Sequence, residues 1–385
     1  MKYFHILWTG LWRKKVRTTL TVLSIVFAFL LFGMLQGIDT TFKQLVDQGR
    51  LDVLDTTNPA GLQLPLADLS QIEAVRGVRR VAYYSLLIGD YQSLKNIVIA
   101  LAVDSDAYFA MNPQFKVSAA ELAAFQHLRT GALVSASLAR RLNWKIGDQV
   151  PVHAFDARKK DGSSNWTFDI VGTFDIPGSP IREEPILLMN YPYFDEARAT
   201  DAGTVALYQE SIADASRAAT VGNTIDNFFA NSPARTVTQT ERANAQGQLA
   251  QLGDLDFFVE AIVGAAFATL LLLTGSTLLQ SYRERIHEFA VLKTLGFTDT
   301  GVALLVLGES ILLTVGAALL GLLAARTLLP ALGSAMARYG LPGLRVPWVV
   351  FAIGAGCAVL LALLSALPPA LRARRLSIIQ ALAVR

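Results

Sequence analysis

A single cysteine in 385 residues, Cys357, excludes any disulfide within the chain. The four histidines, His5, His127, His153 and His287, are dispersed and show no metal-ligand spacing, so no metal site is predicted. Catalytic signatures are missing as well. No GxxxxGK followed by Ser or Thr occurs, which leaves the chain without a nucleotide-binding loop of its own, and HExxH, CxxC and GxSxG are also absent. Charged residues make up only 17%, and the net charge of +3 is too small to point to nucleic acid. These absences predict a chain that is not itself an enzyme.

What is abundant is apolar surface: 52% of residues are hydrophobic and the mean hydropathy is +0.40, beyond ordinary soluble usage. The excess is concentrated. Thr18 to Ile38, Ala261 to Leu279 and Pro347 to Leu371 carry no charge, and Val302 to Ala325 carries one, Glu309. Each meets the roughly 20 residues needed to cross a bilayer core. Four spans are predicted, at 18–38, 257–280, 302–325 and 347–371, with residues 39–255 as one large polar domain and 326–346 as a short loop. The first run follows the basic stretch RKKVR, but it is longer than the roughly 7–15 residues of a signal-peptide core, so it is read as an uncleaved anchor. Lys and Arg place the ends. Five lie in the first 17 residues, three between the second and third runs, and four in the last 14, so residues 1–17, 281–297 and 372–385 are predicted cytoplasmic and the large domain outside.

Within that domain the signals alternate. LADLSQIEAVRGV reads as a short helix ended at Gly77, and RVAYYSLLI and KNIVIALAV read as strands joined at Gly89 and Asp90. From about 116 to 200 a β-rich inserted subdomain is predicted, with a helix at SASLARRLNW and strands at QVPVHAF, WTFDIVGTF and PILLMNY. Further helices are expected at SIADASRAATVGNTIDNFFAN and TQTERANAQGQLAQLGDLDFF, the second running into the second span. The fold class is therefore an α-helical membrane protein of four spans plus an α/β extracytoplasmic domain.

The connector SYRERIHEFAVLKTLGF, Ser281 to Phe297, is too elaborate for a passive link. Ser281 and Glu284 have capping-box spacing, Lys293 suits a helix C-terminus and Gly296 a stop, so a helix spanning the connector is predicted. Two acidic residues fall within the spans: Glu260, at the outer mouth of the second, is read as an interfacial carboxylate, and Glu309, about seven residues into the third run, as an interfacial anchor ahead of a proton-relay or transport role.

The ordered set of segments resembles the permease subunits of MacB-type and FtsX-type ABC transporters (type VII) along essentially the whole chain. KKVRTTLTVLSIVFAF resembles their entry into the first span, GALVSASLARRLNWKIGDQVPV with FDIVGTF their inserted periplasmic β-rich region, RERIHEFAVLKTLGF with Glu309 their connector and third-span entry, and RARRLSIIQAL their closing segment. The resemblance implies a coupling helix docking into a separate ABC ATPase subunit, with Ile286, Phe289, Leu292 and Leu295 as apolar knobs, Glu284, Glu288 and Lys293 as polar contacts and Gly296 at its end. A surface helix lying on lipid would use the same residues. The resemblance further implies ATP and Mg bound by that partner, no cofactor in this chain, a permease homodimer, and residence in the bacterial inner membrane. A periplasmic adaptor and outer-membrane channel accompany some relatives. Function by resemblance is ATP-driven movement of the periplasmic domain for export of a hydrophobic molecule, peptide or lipid; the alternative is an FtsX-like transmitter that activates an extracytoplasmic partner such as a cell-wall hydrolase.

Overall fold

The computed structural model describes residues 14–177, 186–250, 255–336 and 344–374. They divide into two compact units. One holds four long helices, Lys15–Gln48, Leu255–Glu284, Asp299–Met336 and Trp348–Arg374, each with a stretch long and apolar enough to cross a membrane. The first three overrun the predicted spans at both ends, and the fourth, which starts at Trp348, overruns at its C-terminal end only. The first carries on for three turns past Ile38, through TFKQLVDQ.

Close approach in this bundle is made by small residues. A side chain at Gly321 on the third long helix would place its Cβ 2.4 Å from the Val26 carbonyl oxygen of the first, and one at Gly33 would meet Ala325 at 2.8 Å. Phe29 and Phe32 fill the adjacent volume, both edge-on to Phe267 of the second long helix at 5.4 and 5.9 Å. Gly321→Val is therefore expected to cost about 2 kcal/mol by overpacking, read as a lower thermal midpoint in detergent. Gly316→Val, where nothing lies within 4 Å, is the control expected to show no such loss.

The other unit is built on eleven strands: β1 Val53–Thr57, β2 Leu64–Pro65, β3 Val78–Tyr91, β4 Ser93–Val103, β5 Gly131–Ser135, β6 Gln149–Ala154, β7 Asn165–Phe174, β8 Ile186–Asn190, β9 Thr204–Val205, β10 Leu207–Ile212 and β11 Val237–Thr240. Nine of them form one mixed sheet in the order β11-β1-β10-β3-β4-β8-β5-β7-β6, and β2 and β9 make a separate ladder. β6 returns to pair with β3 at Gly89 and Asp90, so the six strands from β3 to β6 close on themselves. β6 and β7 alternate buried and outward residues as a half-buried strand should. Trp166 and Phe168 are fully buried, and the Trp166 indole donates to the Ala157 carbonyl at 3.0 Å.

Two readings of this region change. The segment 116–200 is β-rich as expected, but its strands extend and close the main sheet rather than forming one of their own. The turn expected at Gly89 and Asp90 falls instead at Gln92, with φ 59°, because Gly89 lies inside β3 where a Cβ would stand 2.4 Å from the His153 carbonyl oxygen of β6. The helix at SIADASRAATVGNTIDNFFAN is present as Ala218–Phe228. The next one runs Glu241–Ala250, preceded by the unforeseen strand β11; its expected continuation into the second span falls on residues 251–254, outside those described.

Strands β1, β10 and β11 bury two carboxyl groups. Asp55 accepts from Asn244 Nδ2 at 3.0 Å, yet burial lifts its carboxyl to about 6, with Glu241 adding to the rise. Glu210 is fully buried and neither oxygen has a hydrogen-bond partner within the described residues. Desolvation drives its carboxyl well above the usual range, and the nearby Asp55 and Asp226 carboxylates push the same way. The Thr56 hydroxyl lies close enough to offset a part of this, but outside hydrogen-bonding geometry to Glu210, since it is spent on Thr238 Oγ1 at 2.8 Å.

Candidate functional site

The connector between the second and third long helices is not one helix from Ser281 to Phe297. Ser281 and Glu284 belong to the last turns of Leu255–Glu284, the chain breaks at Arg285 (φ −106°, ψ 12°), and a separate helix covers Ile286–Thr294. The capping-box expectation fails because Tyr282, on the same helical turn, gains more by burial than the turn would gain by capping. Its ring stacks on Phe289 with centroids 5.8 Å apart and 19° between planes. Glu284 consequently sits at a helix C-terminus, where the dipole disfavours it. Lys14 Nζ at 2.9 Å, just ahead of the first long helix, and Arg17 Nη1 at 3.1 Å, in its first turn, offset that.

Phe289 is the largest departure. Expected to project as a docking knob, it is 3% exposed and packs with Tyr282, Val302, Val306, Ala370 and Ala373, with Ile286 and Leu292 half-buried against the same cluster. An aromatic ring on a nine-residue helix adjoining three apolar helices finds its burial inside the chain first. Of the four expected knobs only Leu295 is exposed, at 72%; beside it stand two residues that were not singled out, Val291, at 49%, and Leu304, at 66%, on the first turns of the third long helix. Leu295, Gly296, Phe297, Thr298, Gly301, Leu304 and Leu305 line an open groove of about 580 Å³.

Ion pairs fix the short helix in place. Arg285 Nη1 donates to Glu309 Oε2 at 2.6 Å and its Nε to Glu288 Oε2 at 3.2 Å, while the guanidinium lies 5.1 Å from the Phe289 ring centroid. Glu309, 8% exposed, is thus the acceptor of a buried ion pair that ties the connector to the third long helix. At the other end Lys293 Nζ pairs with Asp299 Oδ1 at 2.8 Å and donates to the Arg374 carbonyl at 3.3 Å. Gly296, φ +95°, donates its N–H to the Lys293 carbonyl, and Phe297 N–H reaches back to Leu292, closing the C-terminus as the sequence predicted. Thr298 Oγ1 then accepts from Gly301 N–H at 3.1 Å and opens the third long helix.

Of the residues singled out from sequence, Glu288, Phe289, Lys293 and Glu309 are thus brought together by internal contacts, and Gly296 by the turn. Arg285, Tyr282, Asp299 and Lys14 were not singled out. Arg285 with Glu288 had a local signal in its i,i+3 spacing; the others make contacts across 6 to 270 residues that no local pattern marks.

The short helix is thus clamped to its own bundle, with an exposed apolar groove beside it. The arrangement is that of a multi-pass membrane permease with one large extracytoplasmic α/β domain. Residues 18–228 match the MacB-like periplasmic core domain and residues 261–378 the FtsX-like permease C-terminal domain, and the chain belongs to this MacB/FtsX-like permease family. Among solved structures, the extracellular domain of the transporter YknZ from Gram-positive bacteria is similar at 12% identity and TM-score 0.36, over 49% of this chain and 98% of that one. The periplasmic region of MacB from Actinobacillus actinomycetemcomitans is similar at 10% and 0.38, over 51% and 92%. A permease domain from Porphyromonas gingivalis follows at 12% and 0.32, over 49% and 88%. No curated protein matches the chain.

Proposed function

We propose that the chain is the permease subunit of an ABC transporter, in which a separate ATPase chain, holding ATP and Mg, drives the bundle from the cytoplasmic side and so moves the extracytoplasmic domain. The observation that carries this reading is the connector: its buried face is locked to the second and third long helices by the Tyr282–Phe289 stack and the Arg285–Glu309 and Lys293–Asp299 pairs, and to the fourth by the Lys293 bond to the Arg374 carbonyl, while Val291, Leu295 and the groove beside them stay open. A rigid element with one apolar face uncovered is what a force-transmitting contact requires. Family membership implies an ABC ATPase in general. A homodimer in the inner membrane, with export of a hydrophobic molecule, peptide or lipid and in some settings an adaptor and outer-membrane channel, completes the proposal.

Because Phe289 is buried and Leu295 is open, Leu295 is the residue whose substitution tests docking. Leu295→Asp puts a charge on the exposed patch without disturbing the buried cluster, and is expected to reduce recovery of the ATPase in pull-down at least tenfold, the scale of a hot-spot loss of about 2 kcal/mol. The thermal midpoint of the permease should be unchanged. Equal ATPase recovery with wild type and Leu295→Asp would remove the docking role from this face.

A further inference from the structure

A second groove lies between the first and second long helices at their cytoplasmic ends. It encloses about 760 Å³ and is lined by Lys14, Lys15, Arg17, Leu20, Leu273 and Thr277, with Val16, Thr21 and Ser24 completing the wall. That volume is in the range of ligand sites, which run from roughly 300 to 1,000 Å³. Its charge is confined to one end. Three cations stand there, and among the described residues the carboxylate bonded to them is Glu284, which accepts from Lys14 and Arg17. Lys15 is exposed and has no bonding partner among the described residues. Deeper in, exposed Leu20 (60%) and Leu273 (40%) supply an apolar floor.

Hydroxyl groups are interleaved with the leucines, Thr21 and Ser24 beyond Leu20 on the first long helix and Thr277 one turn from Leu273 on the second. The groove shares Arg17, Thr21 and Thr277 with a small adjoining crevice of about 30 Å³, whose wall adds hydroxyls at Thr18, Thr274, Ser281, Ser310 and Thr314 and the carboxylate of Glu309, which is paired with Arg285. Thr274 and Thr314 are 1% and 0% exposed, and their hydroxyl oxygens have no hydrogen-bond partner among the described residues. A groove between two membrane-spanning helices, with excess positive charge at one end and leucines and hydroxyls beyond it, is complementary to one kind of molecule. We propose that it is a binding site for an anionic phospholipid of the cytoplasmic leaflet. The phosphate lies against Lys14, Lys15 and Arg17, and an acyl chain runs along Leu20 and Leu273. Basic pockets between membrane helices on this side select acidic headgroups, each Lys or Arg near the surface contributing about 1 kcal/mol. The proposal is independent of the ATPase reading, since none of the groove residues lies on the Val291–Leu304 face.

The test uses the full chain purified in mild detergent, titrated with phosphatidylglycerol or phosphatidylcholine of the same acyl chains and read by native mass spectrometry. Wild type is expected to retain phosphatidylglycerol preferentially. Lys15→Gln should reduce that preference about fivefold, the equivalent of 1 kcal/mol, and Lys14→Gln/Lys15→Gln further. Arg283→Gln, an exposed cation of the same cytoplasmic level outside the groove, should leave it unchanged. Equal retention of the two lipids by wild type would overturn the proposal, making the groove ordinary annular surface. So would a preference that survives the double lysine change, or one that Arg283→Gln weakens as much as Lys15→Gln does. Inorganic phosphate competing as well as the lipid would show a free-anion site and reject the lipid assignment.

Discussion

Arg285→Leu is expected to lower the stability of the helical bundle by about 3–5 kcal/mol, because it leaves the Glu309 carboxylate buried without its cation. The two side chains are 13% and 11% exposed and bonded at 2.6 Å, so solvent cannot replace the lost partner. The pair itself is worth far less than this loss, since bringing both charges out of water offsets most of their attraction. Arg285→Leu/Glu309→Leu should therefore recover the greater part of the midpoint lost in the single variant. Cys357, the only thiol and half-buried in the fourth long helix, gives a direct readout through a thiol-reactive dye during heating in detergent. A double variant as unstable as the single one would mean that packing of the Arg285 stem on Phe289, not charge pairing, holds the connector. Function offers a second readout: if the connector transmits force, the double variant should bind the ATPase yet show weakened coupling, as the tie to the third long helix has changed from charge to apolar contact.

Raising the pH should destabilise the extracytoplasmic domain. Asp55 titrates at about 6 in the fold against 3.8 as its ordinary value, a difference worth about 3 kcal/mol. The native state binds this proton more tightly than the unfolded chain does. Its contribution is therefore fully present below about pH 4 and is lost as the pH rises through about 6. Glu210, whose full burial drives its carboxyl well above the usual range, adds a loss of the same sign as the pH rises. Glu210→Gln, which mimics the protonated acid in shape, is expected to match wild type near pH 4.5 and exceed it at pH 8 by several degrees, at roughly 2–4 °C per kcal/mol for a domain of this size. Amide exchange in β1, β10 and β11 of the full chain should slow correspondingly at pH 8. A wild-type protein whose midpoint rises between pH 5 and pH 8 by the amount seen in Glu210→Gln would mean that neither carboxyl carries a buried proton.

How much of this was legible in advance depends on whether the determining contacts are local. Four apolar runs, their order and the outward placement of the large domain follow from length and charge counts, because a bilayer core imposes one dimension on any helix that crosses it. The strands QVPVHAF and WTFDIVGTF were readable for a similar reason: one face is buried, and the period of two is written in the residues. Gly296 stopped its helix where the sequence put it, since a positive φ favours glycine wherever it occurs.

Tertiary structure decided the rest. Ser281 and Glu284 have the right spacing for a helix start, yet burial of Tyr282 against Phe289 outweighs a cap and carries the second long helix through them. Nothing local says that Phe289 faces inward and Leu295 outward, since both are large and apolar on the same short segment; the neighbouring helices choose. Closure of β3 on β6 and the partnerships of Arg285 with Glu309 and of Lys14 and Arg17 with Glu284 join residues 24 to 270 positions apart. Composition and periodicity determined which segments cross the membrane and which form strands, because those choices are made against the solvent. Which side chains remain available to a partner was settled only by what the rest of the chain had already covered.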